Sequence, residues 1–142
     1  MRFWDSSAVI PLLVPEVTSK DIQDLFEADP VMIAWWATDV ECVSAIARRQ
    51  RLGRLAEETT INAYDRLNAF RAGWHEVEPT DGIRESAKRL LRVHDLRTAD
   101  ALQLAAALFA SEDRPSTLEF LTLDQRLLAA ARREGFTITK LG

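Results

Sequence analysis

The sequence contains very few of the residues that bind soft metals or form disulfides. Its 142 residues include one cysteine, Cys42, and two histidines, His75 and His94. A single cysteine cannot form an internal disulfide, and these side chains are too few for a structural zinc site. Any metal bound by this chain would therefore be held by oxygen atoms. We interpret Cys42 as a small buried apolar residue and both histidines as structural rather than catalytic.

Long apolar runs and an excess of positive charge are also missing. No run is long enough to span a bilayer and the first residues lack a signal-peptide core, so we expect a soluble, cytoplasmic protein without membrane contact. The formal net charge of -4 excludes coating of nucleic acid by bulk attraction but not a local basic groove. The 15 arginines against 3 lysines suit phosphate contacts, although genome base composition explains such a bias equally well.

Length and composition predict one domain over residues 1–142. An apolar content of 47% with 28% charged residues is ordinary for a globular chain. Strand patterns alternate with helical patterns along the chain. The strand candidates are residues 2–4, 31–36, 74–77, 118–122 and 136–139. The inward faces of the predicted helices should include Ile61 and Leu91. The continuous run 31–36 predicts a buried strand in which Trp35 and Trp36 pack. This alternation predicts an α/β fold with helices on both faces of a central, mostly parallel sheet.

The stretch of residues 97–108, RTADALQLAAAL, is apolar on nearly every side at helical spacing, which predicts a buried helix. Thr98 is a suitable N-cap, and Asp100 falls in the first turn, where the helix dipole favours an anion. Dipole stabilisation is one explanation of Asp100. The other is a functional site, because a carboxylate that enters an apolar interior is costly unless something pairs with it.

Three more acids occupy comparable positions near the ends of predicted strands. Asp5 and Asp124 each follow a strand, and Glu41 lies one turn into the helix after the strand 31–36. In open α/β sheets, ligands bind beyond the carboxyl ends of the strands, so we expect these acids and Asp100 to share one crevice. For Glu41 the alternative is a capping box with Thr38, in which its side chain caps its own helix.

Four ionised carboxylates in one crevice would repel one another unless a cation neutralises them. Oxygen ligands select a hard divalent ion such as Mg²⁺ or Mn²⁺, which orients phosphates and activates water. The predicted chemistry is phosphodiester hydrolysis. A phosphatase of the haloacid-dehalogenase kind also starts with an aspartate after its first strand, but it needs a second aspartate two residues later, where this chain has Ser7.

Arg48 is a candidate contact for a nucleic-acid phosphate. It shares a helical face with Glu41 and Ala45, and it should lie about 10 Å along the axis from Glu41. The alternative is that Arg48, with Arg49 and Arg51, only complements the carboxyl end of its helix.

Four segments resemble the PIN-domain ribonucleases, and in particular the VapC-like toxins. They are DSSA at residues 5–8, WWATDVE at 35–41, LRTADALQLA at 96–105 and TLD at 122–124. The resemblance covers essentially the whole chain. It implies a compact, three-layer α/β/α PIN-like fold and an Mg²⁺- or Mn²⁺-dependent endoribonuclease, the toxin of a type II toxin-antitoxin pair. It also implies a homodimer that a cognate antitoxin neutralises by covering the active site.

The same resemblance implies which residues form the site. The catalytic, metal-binding acids fall on Asp5, Glu41, Asp100 and Asp124, Thr122 matches a small hydroxyl residue that supports them, and Ser6 is a further supporting residue. The alternative function is a catalytically silent PIN-like module that only binds or scaffolds. Loss of one or more of the acids would mark such a module, and here all four are present.

Overall fold

The computed structural model describes residues 1–141, which form one five-stranded sheet flanked by seven α-helices. In chain order the elements are β1 (Arg2–Trp4), α1 (Ser6–Leu13), α2 (Ser19–Ala28), β2 (Met32–Trp35), α3 (Thr38–Arg51), α4 (Glu57–Gly73), β3 (His75–Val77), α5 (Asp81–Val93), α6 (Thr98–Ala110), β4 (Glu119–Leu121), α7 (Gln125–Arg133) and β5 (Thr137–Ile138), with a 3-10 turn at Pro115–Thr117. The strand pairings are all parallel. The predicted α/β class is therefore confirmed.

The strand order is β3-β2-β1-β4-β5, so the direction in which strands are added reverses at β1. From β1 the chain adds β2 and β3 on one side, and then returns to add β4 and β5 on the other. The carboxyl ends of β1 and β4 consequently flank the switch point. Ligands of open parallel sheets bind beyond this point, because the connections leave it in opposite directions.

Side chains alternate between two hydrophobic cores, one on each face of the sheet. Phe3 and Phe120 point to the core formed with α5, α6 and α7, while their neighbours Trp4 and Leu121 point to the core formed with α1 to α4. This period of two is the geometry of a strand. The layers are thus helix, sheet and helix, which confirms the expected α/β/α arrangement.

Helix α6 is buried as its composition predicts, with inward residues at Ala101 and throughout 103–108. Its start differs from the prediction: Arg97 is the N-cap residue in an extended conformation, Thr98 is already helical, and no side-chain cap bond is formed. The assignment of Thr98 as the N-cap is therefore wrong by one residue.

Several predicted packing residues are exposed. Ile61 is 54% exposed, because α4 buries the stripe of Thr60, Ala63 and Leu67, and Ile61 lies about 100° around the helix from Thr60. Leu91 is exposed beside the buried Leu90 for the same reason. The continuous run 31–36 is buried only at Met32–Trp35, so the prediction that Trp36 packs in the core is wrong. Cys42 is fully buried, as expected.

No helix within residues 1–141 is both long enough and apolar enough to cross a membrane.

Candidate active site

Asp5 is a buried carboxylate, 2% exposed, at the junction of β1 and α1. It is the N-cap of α1, and its Oδ2 accepts bonds from the Ser7 backbone N–H at 3.4 Å, from Ser7 Oγ at 2.5 Å and from Thr122 Oγ1 at 2.8 Å. Burial raises the pKa of this carboxyl, and the bonds from Ser7 and Thr122 partly oppose the increase. The side chain is therefore held in one orientation at the switch point.

Thr122 and Asp124 bring the end of β4 to the same place. Thr122 Oγ1 accepts the backbone N–H of Asp124 at 3.0 Å while it donates to Asp5. Asp124 is the N-cap of α7, where its Oδ1 accepts the backbone N–H of Leu127 at 2.9 Å. Asp124 thus has a structural bond through one oxygen, and Oδ2 is the oxygen left for other partners.

Asp100 is half-buried in the first turn of α6. Burial is the main cause that raises the pKa of Asp100 to about 6, followed by the negative charges of Asp124 and Asp5. The arginines Arg97 and Arg126 oppose this increase. Stabilisation by the helix dipole explains a carboxylate in the first turn, but it does not explain why two other acids lie near it.

Glu41 is half-buried in the first turn of α3, and the predicted capping box is not formed. The N-cap residue is Ala37, without a side-chain cap bond, and Thr38 is already helical. The Glu41 carboxylate instead turns to two other helices, where Oε1 accepts Ser6 Oγ at 3.0 Å and Oε2 accepts Gln103 Nε2 at 3.1 Å. Capping of its own helix therefore does not explain Glu41.

The acids act on one another electrostatically. Burial is the main cause that raises the pKa of Glu41 to about 7, and the charges of Asp5 and Asp100 add to it, against the bonds from Ser6 and Gln103. Asp100 in turn is raised by Asp124 and Asp5. The four predicted acids are thus linked at the carboxyl edge of the sheet, because Asp5 and Asp100 act on Glu41 while Asp5 and Asp124 act on Asp100.

Two site residues were missed by sequence reasoning. Ser7 contacts Asp5 and accepts the backbone N–H of Leu123 at 2.9 Å, so it joins the ends of β1 and β4. Gln103 is fully buried in α6 and contacts Glu41. The available signal for Gln103 was a lone amide side chain within an apolar helix, since a buried polar group needs a partner.

The donor chemistry of these residues fits a hard divalent ion. Asp5, Glu41 and Asp100 have a raised pKa mainly because they are buried, and for Glu41 and Asp100 the charges of neighbouring acids add to the increase, which a bound cation would offset. Within residues 1–141, no three His, Cys, Asp or Glu side chains are arranged so that they could hold a metal together. Mg²⁺ nevertheless binds typically through one or two carboxylates and several waters, so a ready-made cage of three is not required.

A groove with basic residues begins at Glu41. Its lining includes Ser6, Glu41 and Arg48, together with Arg49 and Arg54. Arg49 donates hydrogen bonds to the Glu16 carboxylate at 2.6 Å and to the carbonyl of Ala45 at 3.2 Å. Arg48, by contrast, is exposed and lines the open groove. The groove therefore joins one acid of the site to cationic side chains.

The chain belongs to the PIN domain family, whose family model matches residues 2–133. It is 29% identical over 133 residues to ribonuclease VapC45 of Mycobacterium tuberculosis strain CDC 1551 / Oshkosh, and equally to ribonuclease VapC49 of strain H37Rv. Each alignment covers 94% of this chain and 90% of the relative. The PIN domain predicted from the acidic motifs is thereby confirmed.

Several solved structures share the fold. The chain resembles Mycobacterium tuberculosis VapC20, a sarcin-ricin loop cleaving toxin, with a TM-score of 0.70 and 19% identity over 96% of this chain and 97% of that one. It also resembles FitAcB from Neisseria gonorrhoeae, with a TM-score of 0.67 and 13% identity. A toxin-antitoxin complex from Klebsiella pneumoniae has a TM-score of 0.66 and 16% identity. Each of these two alignments covers 99% of this chain and 97% of the other chain. At these identities the likeness concerns the fold.

Proposed function

We propose that this PIN domain is a metal-dependent endoribonuclease and the toxin of a type II toxin-antitoxin pair. The observation that carries the proposal is the cluster of acids at the strand-order switch point, where Asp5 is buried and its charge contributes to the raised pKa of both Glu41 and Asp100. Two relatives of nearly the same length bear the name ribonuclease, which supports this reaction.

The four acids Asp5, Glu41, Asp100 and Asp124 would together hold Mg²⁺ or Mn²⁺, in part through water. The side-chain donors to Asp5, Ser7 and Thr122, both bond Oδ2, so neither of these hydroxyls uses Oδ1. When bound, such an ion neutralises these charges, polarises a phosphodiester and activates water for its hydrolysis.

The other side chains hold the acids in position. Thr122 and Ser7 fix Asp5 through charge-assisted hydrogen bonds, which are stronger than neutral ones. Ser6 on α1 donates to Glu41 on α3, so two helices are tied together at the mouth of the groove. The four carboxylates come from four different crossovers, and these bonds hold two of them, Asp5 and Glu41, in place although the acids repel one another.

RNA would enter along the groove that contains Glu41 and Arg48. Arg48 is exposed there and can pair with a phosphate beside the one being cleaved, because a guanidinium matches phosphate geometry. A local contact of this kind is compatible with the net charge of -4. Selection of one RNA would then depend on the shape of the groove and on unpaired bases.

The proposed partners are an antitoxin and a second copy of this chain, in the cytoplasm where cellular RNA is found. The proposal of an antitoxin is supported by the toxin-antitoxin complex from Klebsiella pneumoniae, one chain of which shares this fold. An antitoxin that inhibits this site would cover the groove beside Glu41. Co-purification with the product of the adjacent reading frame, and loss of cleavage in that complex, would test this partner.

The decisive experiment is cleavage of single-stranded and stem-loop RNA by the purified protein with Mg²⁺, with Mn²⁺ and with a chelator. We expect cleavage that needs either ion, and that is lost in Glu41→Gln while the folded state is retained. Activity with Zn²⁺ but not with Mg²⁺ would contradict the hard-ion assignment.

A silent binding module makes a different prediction. Such a protein would bind RNA but would not cleave it with any divalent ion, and Glu41→Gln would leave binding unchanged. RNA binding measured alongside cleavage therefore separates the two functions.

A further inference from the structure

Gln103 is the polar side chain that connects the two helical layers at the site. It lies on α6, which packs in one core, whereas Glu41 and Thr38 lie on α3, which packs in the core on the other face of the sheet. Its Nε2 donates to Thr38 Oγ1 at 2.9 Å and to Glu41 Oε2 at 3.1 Å. The amide thus spans the carboxyl edge of the sheet.

The orientation of this amide is fixed by its neighbours. An amide nitrogen has two hydrogens to donate, and here both have acceptors, one of them a carboxylate. The reversed amide would direct Oε1 at the Glu41 carboxylate, which is unfavourable when that acid is ionised. The contact therefore specifies a donor at this position of α6.

Stability alone does not account for Gln103. The side chain is 0% exposed, yet its Oε1 finds no hydrogen-bond partner within residues 1–141. A buried polar atom without a partner destabilises the folded state, and an apolar residue of the same shape avoids this cost. The benefit of the amide must lie elsewhere, and among the described residues its one charged hydrogen-bond partner is the carboxylate of Glu41.

We propose that Gln103 is a positioning residue, which fixes the Glu41 carboxylate relative to Asp100 and so sets the geometry in which the acids receive a divalent ion. Asp100 lies three residues earlier on α6, so one rigid helical turn carries both Asp100 and the amide that holds Glu41. Ser6 holds the same carboxylate from α1, which leaves Glu41 little freedom. This inference rests on the proposed metal-dependent function.

The test is a double-mutant cycle of Gln103→Met with Glu41→Gln, with Mn²⁺ binding measured by calorimetry. Met fills nearly the volume of Gln but cannot donate. We expect Gln103→Met to weaken Mn²⁺ binding by about 10–100-fold, while its melting temperature in chelator stays equal to that of the parent or rises. In the Glu41→Gln background the same substitution should change Mn²⁺ binding by less than about twofold.

Leu104→Met is the matched control, because Leu104 is the next buried residue on α6 and belongs to the apolar core. It should leave Mn²⁺ binding at the parent level. Gln103→Leu provides a second variant if Gln103→Met folds poorly, and it should give the same loss of affinity.

Two results would overturn the inference while the proposed function stands. One is a parent that binds Mn²⁺ and cleaves RNA together with a Gln103→Met protein that does both equally well. The other is an equal loss of Mn²⁺ affinity in both backgrounds, since Gln103 would then act independently of Glu41. A parent that neither binds Mn²⁺ nor cleaves RNA would instead refute the proposed function, and the role of Gln103 with it.

Discussion

The hydroxyl of Thr122 lies 2.8 Å from Oδ2 of Asp5, and this bond connects the carboxyl ends of β4 and β1 across 117 residues of sequence. The hydroxyl oxygen of Thr122 also accepts the backbone N–H of Asp124 at 3.0 Å. One small side chain therefore orients the acid that follows β1 and the turn that presents the acid following β4. Because these strands flank the switch point, the site depends on how β4 docks against β1.

Thr122→Val should impair both stability and cleavage. The substitution keeps the shape of the side chain but removes one donor to a buried carboxylate, which should lower the free energy of unfolding by roughly 1–3 kcal/mol. Cleavage should fall by about 10–100-fold, the usual effect of losing a residue that orients metal ligands. Urea denaturation and an RNA cleavage assay measure the two effects.

Thr60→Val is the control for this substitution. Thr60 is also buried, but its Oγ1 donates to the carbonyl of Ala56 within the same helix, at 2.9 Å. We expect a smaller loss of stability and the cleavage rate of the parent. If Thr122→Val and Thr60→Val had the same activity, Thr122 would be an ordinary core residue.

Arg48→Ala should weaken RNA binding and reduce its dependence on salt. Loss of one phosphate contact to a single strand lowers the slope of log K against log salt by about 0.7. Arg51→Ala is the comparison, because Arg51 also lies in the last turn of α3 but does not line the groove. Equal effects of the two substitutions would mean that these arginines act only through the helix end or through bulk charge.

The metal-free protein should become less stable as the pH rises through the neutral range. The pKa of Glu41 is about 7 and that of Asp100 about 6 in the folded chain, both above their ordinary values. The folded state therefore binds protons more tightly than the unfolded one, and this stabilisation is lost as the pH rises through these folded values. Melting in chelator from about pH 5 to about pH 8 measures the decrease.

Glu41→Gln should reduce this pH dependence because it removes one of the carboxyls whose pKa is raised. The carboxyls whose pKa is lowered, among them Glu119 and Glu134, lose their stabilising effect only at more acid pH, so they do not account for a decrease in this range. A melting temperature that rises with pH in chelator would contradict the assignment of raised pKa values to the acids.

The position of the acids was predictable because it follows from strand order and from local sequence. Asp5 comes directly after β1 and Asp124 three positions after the end of β4, and parallel strands necessarily bring their carboxyl ends to one edge. The buried character of α6 followed from its apolar run. The first residue of α6 could not be predicted in the same way, because the helix could begin at Thr98 or one residue later and no local feature of the sequence decides between the two.

The contacts of Glu41 could not be read from the sequence. A capping box and a functional acid have the same spacing, and only the approach of α1 and α6 shows that Ser6 and Gln103 hold the carboxylate. The exposure of Ile61 and Trp36 could not be predicted either. The spacing of apolar residues indicates the buried face or the end of an element only to within about one residue.

Asp100→Asn distinguishes a metal site from a dipole partner. At about pH 8 the carboxyl of Asp100 is ionised, since its folded pKa is about 6. Asn keeps the size of the side chain and removes one of the repelling charges. If Asp100 belongs to the metal site, the mutant in chelator should be at least as stable as the parent, Mg²⁺ should no longer raise its melting temperature, and cleavage should be lost.

Asp81→Asn supplies the matched comparison, because Asp81 is an exposed first-turn aspartate of α5, 3.4 Å from Arg84. It should lose a few tenths to about 1 kcal/mol at most and keep full activity, as a dipole partner does. The stabilising effect of Asp100→Asn should also shrink near pH 5, since Asp100 of the parent is then largely protonated and repels its neighbours less. An Asp100→Asn protein that behaved like Asp81→Asn, slightly destabilised and fully active, would remove Asp100 from the site, because the proposed role of Asp100 depends on its negative charge.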